Sequence, residues 1–111
     1  MKRRYRLRRN SEFQRVRQYG QSYASPLMVL AFLQNELDYS RFGFVVSKRL
    51  GKAVRRNKIK RQMREAARIR VPCIKSGFDI VFIVRQPTHQ ATYQEIEQSM
   101  EFLLQKAGLL L

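Results

Sequence analysis

Between Ala53 and Arg70 the chain has only enough apolar residues to bury one narrow stripe of a helix, and that limits what can form around it. At about 100° per residue with Ile59 at zero, Met63 falls at about 40°, Ala66 at about −20° and Ala67 at about 80°. Asn57, Lys60, Arg61, Arg64 and Arg68 fall between about 100° and about 200°, almost opposite. The spacing predicts a helix from about Ala53 to Arg70, led in by Gly51 and stopped by Pro72. Its apolar seam would lie on a sheet and its cationic ridge would face water. Like charges at this spacing cost a few tenths of a kcal/mol per pair. Lys52, Arg55, Arg56 and Lys58 also crowd the helix N-terminus, where the macrodipole disfavours cations. Both penalties are offset if the ridge meets a phosphate backbone and releases its counterions.

The rest of the charge agrees. The 111 residues hold 23 Lys plus Arg against 8 Asp plus Glu, a net charge of +15. Residues 1–20 carry eight basic residues against Glu12, a balance of +7; residues 41–70 carry twelve against Glu65, a balance of +11. Residues 21–40 and 71–111 balance at −2 and −1. A merely solvated basic surface would mix acids into those two blocks, and they are almost absent there. A hydrophobic content of 44% supplies a core, so the charge does not signal disorder. No apolar run approaches the roughly 20 residues of a membrane helix, and no apolar segment follows the basic start as in a signal peptide. The lone Cys73 allows no internal disulfide and no cysteine-built zinc site. One soluble domain over residues 1–111, cytoplasmic, with a polyanionic partner and neither a membrane nor a small-molecule substrate, is the expectation.

Other elements follow from pattern. Ser11 can cap a short helix over Glu12–Tyr19, with Phe13, Val16 and Tyr19 at helical spacing and Gly20 ending it. Leu27–Leu33, after Pro26, reads as a strand; Phe42–Ser47 reads as a second, joined to the first as a hairpin across the 35–40 turn. Phe78–Val84, rich in β-branched residues, is a further strand. Thr92 and Glu95 form a capping box, and Tyr93, Ile96, Met100, Leu103, Leu104 and Ala107 share one face of a last helix. Helices packed on a small sheet make an α/β sandwich.

Aromatics lie among the basic residues: Phe13, Tyr19, Tyr23, Phe32, Phe42 and Phe44 fall on or near the first helix and the strands. Most must fill the core, but one or two left open could stack unpaired bases, which favours single-stranded RNA. Catalytic groups are missing. His89 lies in a loop, Glu95, Glu97 and Glu101 read as a solvated face, Cys73 reads as structural, and Gly51-Lys52 lacks the rest of a phosphate-binding loop. A self-sufficient metal-dependent nuclease is therefore disfavoured; a small ribosomal or general RNA-binding protein is the main alternative to a subunit of a ribonucleoprotein nuclease.

The run Ser47-Lys-Arg-Leu-Gly-Lys-Ala-Val-Arg-Arg-Asn-Lys-Ile-Lys-Arg-Gln-Met-Arg-Glu65 closely resembles the signature of the bacterial ribonuclease P protein subunit. The likeness continues in Leu7-Arg8-Arg9-Asn10, in Glu12-Phe13 and Val16 before Gly20, in Gly43, and in Asp79-Ile80-Val81 after Gly77. It implies an α+β fold, ribosomal protein S5 domain 2-like, with a small mainly antiparallel sheet and three helices in the order α-β-β-β-α-β-α and a left-handed β-α-β crossover. It implies a subunit that joins a catalytic RNA to form the endonuclease removing 5′ leaders from precursor tRNA, with the catalytic centre in the RNA and magnesium held mainly by RNA rather than by a protein cage. By the same resemblance Arg49, Lys52, Arg55, Arg56, Asn57, Lys58, Lys60, Arg61, Arg64 and Arg68 contact the catalytic RNA. A cleft between the first helix and the sheet would take the leader. Phe13 matches one cleft aromatic of that pattern, and Arg17, Met28, Leu30, Phe32 and Lys48 complete the expected lining. Two positions depart: Arg17 and Ala31 stand where aromatics are common, and Arg17 could stack its guanidinium on a base or contact phosphate instead.

Overall fold

The computed structural model describes residues 1–111. Helices α1 (Asn10–Tyr19), α2 (Ala53–Arg70) and α3 (Tyr93–Lys106) pack on a four-stranded sheet of β1 (Gln21–Ala24), β2 (Met28–Gln34), β3 (Arg41–Val45) and β4 (Phe78–Val84). The order along the chain is α-β-β-β-α-β-α, as expected.

The sheet order is β1-β2-β4-β3. The expected hairpin between the Leu27–Leu33 and Phe42–Ser47 segments does not form. β2 pairs antiparallel with β1 on one side, Tyr23 opposite Leu30, and with β4 on the other, Leu30 opposite Phe82. β3 pairs parallel with β4, Phe44 beside Phe82, and α2 makes the crossover between them. The physical reason lies in β4. It is apolar at consecutive positions, and Ile80, Val81 and Phe82 are fully buried, so it needs cover on both faces and takes a central place. The 35–40 turn is held by Asn35, whose side-chain oxygen accepts from the Leu37 amide and whose Nδ2 donates to the Tyr39 carbonyl.

Each face of the sheet carries its own apolar cluster. Met28, Leu30, Phe32, Phe42, Ile80 and Phe82 pack with Ile59 and Met63 of α2 and Ile96, Met100, Leu103 and Leu104 of α3. On the opposite face a smaller cluster of Leu7, Val16, Ala31 and Val81 lies under α1, flanked by Phe13, Leu33, Val45 and Ile83. All four residues of the α2 stripe, Ile59, Met63, Ala66 and Ala67, are fully buried. Thr92 Oγ1 accepts from the Glu95 amide, and the Glu95 carboxylate returns the bond to the Thr92 amide, so the capping box of α3 forms. α1 begins two residues earlier than expected and is not capped by Ser11. Instead Glu12 Oε1 accepts from the Arg8 and Arg9 amides, 3.2 and 3.1 Å away. Cys73 is an exposed free thiol rather than a structural one. No helix is long and apolar enough to cross a membrane.

Candidate nucleic-acid interface

The open face of α2 is cationic and mostly unpaired. Lys52, Asn57, Lys58 and Arg61 are exposed, Lys60 and Arg64 are half-buried, and none has an acidic partner within 4.0 Å. Arg49 is likewise exposed and unpaired on the 3-10 turn Lys48–Leu50 that leads into α2. No side chain caps the N-terminus of α2. Three of the α2 arginines expected to meet RNA are used otherwise. Arg68 pairs with Glu65 at 2.6 Å, an ion pair that solvent screens, and the guanidinium beside Glu65 holds that carboxyl below its ordinary range. Arg55 and Arg56 fall at about −40° and about 60° in the helical frame, on the side of the apolar seam. Arg55 accordingly donates to the His89 carbonyl, and Arg56 donates to the Gly51 carbonyl at 2.8 Å.

A groove crosses the outer strand β3, with α1 on one face of the sheet and α2 on the other. Its main hollow, about 360 Å³, is lined by Asn10, Phe13, Gln14 and Arg17 of α1, by the stretch Phe44–Val46, and by Lys60 of α2. A second hollow of about 180 Å³ continues past Phe13 to Arg6, Arg8 and Arg64. β3 is the edge of the sheet and its far end is bridged by Arg6, whose segment pairs with Phe42, so the groove starts where that cover ends. Phe44 stacks on Phe82 with ring centroids 5.8 Å apart and stays half-exposed because the bridge from Arg6 stops at Phe42. The floor under α1 is closed: Ala31 is buried against Val16 and Val81. Two aromatic rings, Phe13 from the α1 face of the sheet and Phe44 from the α2 face, thus line the groove among Arg17, Lys60, Arg64 and Arg8, a mixture suited to stacking bases while neutralising phosphates.

Carboxylates do not converge. No three His, Cys, Asp or Glu side chains come together, and the most buried carboxylate, Asp79, is matched by the Arg41 guanidinium at 2.8 Å. This donor set does not fit a protein-held divalent cation.

The ribonuclease P family model matches residues 1–108. The chain belongs to the ribonuclease P protein family. The ribonuclease P protein component of Clostridioides difficile is 39% identical over 104 residues, 93% of this chain and 91% of that protein. That of Roseiflexus castenholzii is 43% identical over 110 residues, 98% and 90% of the two chains. Among solved structures, the Staphylococcus aureus RNase P protein superposes with a TM-score of 0.90 at 40% identity, covering 96% of this chain and 98% of that one. The Thermotoga maritima protein gives 0.84 at 36% identity, covering 91% and 96%. The chain is thus a protein component of ribonuclease P, the ribonucleoprotein that processes tRNA, and the alternative of a ribosomal or general RNA-binding protein is not favoured.

In this ribonuclease P protein the residues expected at the leader cleft divide. Phe13 and Arg17 line the groove together. Met28, Leu30 and Phe32 do not: they point to the other face of the sheet and are buried under α2 and α3. Strand alternation separated the two faces correctly, but which face α1 covers depends on packing, and Val29, Ala31 and Leu33 turned out to lie on its side. Lys48 is exposed on its turn, outside the groove lining. Lys60 and Arg64, expected on the catalytic-RNA ridge, also reach the groove, so the two surfaces adjoin. Asn10, Gln14, Phe44, Val45 and Val46 line the groove without having been expected there. For Phe44 the missing signal was its place on an edge strand, which the assumed hairpin hid. His89 is exposed, as expected of a surface residue, but it lies on the 3-10 turn Gln86–Gln90 rather than in a loop. The glutamates of α3 are more than a solvated face: Glu95 caps the helix, and Glu97 and Glu101 lie 3.2 and 3.8 Å from Arg70 of α2.

Proposed function

We propose that this subunit binds the catalytic RNA through the exposed ridge of α2 and holds the single-stranded 5′ leader of precursor tRNA in the groove over β3. The observation that carries this reading is the groove's lining: two half-exposed aromatic rings flanked by unpaired cations from both helices, continuous with the ridge through Lys60 and Arg64. Lys52, Lys58 and Arg61, with Arg49, contact RNA phosphates. Phe13 and Phe44 stack leader bases, and Arg17 and Lys60 neutralise the leader backbone, with little readout of base edges. Arg55 and Arg56 shape the entry to α2 by holding the Gly51 and His89 carbonyls. Cleavage belongs to the RNA, and magnesium is held there and at the scissile phosphate. The exposed thiol of Cys73 suits a reducing cytoplasm.

Reconstitution with the catalytic RNA at low magnesium tests the reading. Cleavage of precursor tRNA is expected only with both components present. Arg17→Ala is expected to weaken precursor binding about fivefold to tenfold while sparing mature tRNA. Equal binding of both tRNA forms by the unmodified holoenzyme would overturn the leader groove.

A further inference from the structure

We propose that Arg41 is a positioning residue for leader recognition, holding the first turn of α1, and with it Phe13 and Arg17, at the separation from β3 that keeps the groove open. This rests on the leader-groove reading above. Arg41 is gripped by the sheet at two points: its Nε donates to Asp79 Oδ1 at 2.9 Å and its Nη2 to Asp79 Oδ2 at 2.8 Å. Asp79, on β4, is 2% exposed and also accepts from Asn35 Nδ2 at 2.9 Å. A planar fork fixed in this way has one direction left, and Nη1 donates along it to Glu12 Oε2 of α1 at 2.7 Å. The other Glu12 oxygen takes the Arg8 and Arg9 amides that start the helix. Both oxygens of one carboxylate therefore set where α1 begins and where it docks.

Two residues along the same face of β3, Gly43 receives the ring of Phe13. A β-carbon on Gly43 would lie 2.4 Å from Phe13 Cε1 and 2.6 Å from Cζ, so only glycine leaves the ring in place. Residues 12 and 13 of the helix thus meet residues 41 and 43 of the strand, one pair by charge and one by shape. The Glu12–Arg41 pair is the sole side-chain hydrogen bond or ion pair from α1 to the sheet; the remaining contacts, through Val16 and its apolar neighbours, are non-directional. Neither Glu12 nor Arg41 lines the groove, so any effect on the leader must pass through the position of α1.

The test uses holoenzyme reconstituted with the catalytic RNA. Glu12→Gln keeps an oxygen for the Arg8 and Arg9 amides but loses the charge through which Arg41 holds α1. The expected result is a loss of about threefold to fivefold in precursor affinity, the scale of a partly exposed ion pair, with mature tRNA affinity, catalytic-RNA affinity and kcat unchanged. Gly43→Ala, which leaves the ion pair intact, should produce the same split by displacing the Phe13 ring. If Glu12→Gln melts below the assay temperature, Arg41→Lys, which keeps the charge and loses the fork, is read in the same way. Equal losses for both tRNA forms would make Arg41 merely structural and overturn the proposal. Preserved discrimination in these variants, with discrimination lost in Phe13→Ala and Arg17→Ala, would overturn the positioning role alone. Discrimination preserved in all of them would overturn the groove reading beneath it.

Discussion

Gly20 ends α1 where a β-carbon would lie 2.3 Å from the Phe32 carbonyl oxygen and 2.5 Å from that of Val16. Both obstacles are backbone, so neither can rotate away. Gly20→Ala is expected to cost about 3 kcal/mol, the upper end of overpacking penalties, measured as a fall in the urea midpoint at unchanged m-value. Glu12 makes a prediction about pH. Burial raises its pKa, but the Arg9 and Arg8 amides and the Arg41 guanidinium outweigh that and hold it below its ordinary 4.5. A carboxylate depressed in the folded state contributes stability that is complete above the unfolded value and is lost as pH falls through the folded one. Stability should therefore fall with acidification below about pH 4.5, and Glu12→Gln should remove part of that slope, as read by denaturation curves between pH 3 and 7. At this scale the sequence was legible wherever charge alone decided, as at Lys58 and Arg61. It was not where a cation's partner lay on a neighbouring turn, as at Arg55 and Arg56, which the helical frame turns towards the seam but whose accepting carbonyls no pattern reveals.

The helices could be read because each carries one dominant period. The bounds of α2 and its four buried residues follow from the 3.6-residue repeat, and α3 follows from its capping box. Strand order could not be read in the same way. The chain offers β2 and β3 as neighbours in sequence, and only the doubly buried run of β4 shows that another strand must come between them. The assumed hairpin then misplaced the edge, and with it the groove. Pairing between elements also reassigns the acids of α3. Arg70 joins α2 to α3 through Glu97 at 3.2 Å with both side chains largely covered. Glu97→Ala should cost about 0.5–1 kcal/mol, seen as a fall of about 2–4 °C in Tm. The single-turnover cleavage rate of the reconstituted enzyme should not change. A lost chemical step at native stability would place a catalytic group on the protein.

For the whole molecule, the charge of +15 is arranged rather than spread. The packed faces use Arg41, Arg55, Arg56 and Arg70, while Lys52, Lys58 and Arg61 are left exposed and unpaired on one side of α2. Such an arrangement steers a polyanion towards the ridge and the adjoining groove, and its hold on RNA must weaken with salt in proportion to the phosphates it neutralises. The most direct measurement is the salt dependence of the affinity for the catalytic RNA, comparing the natural chain with Lys58→Ala/Arg61→Ala. Both side chains are exposed and unpaired, so the thermal melt should be unaltered. The log–log slope of Kd against salt should become shallower by about two, one released counterion for each cation removed, with weaker binding at low salt. An unchanged slope and affinity in the double variant at native stability would contradict the assignment of the α2 ridge to RNA.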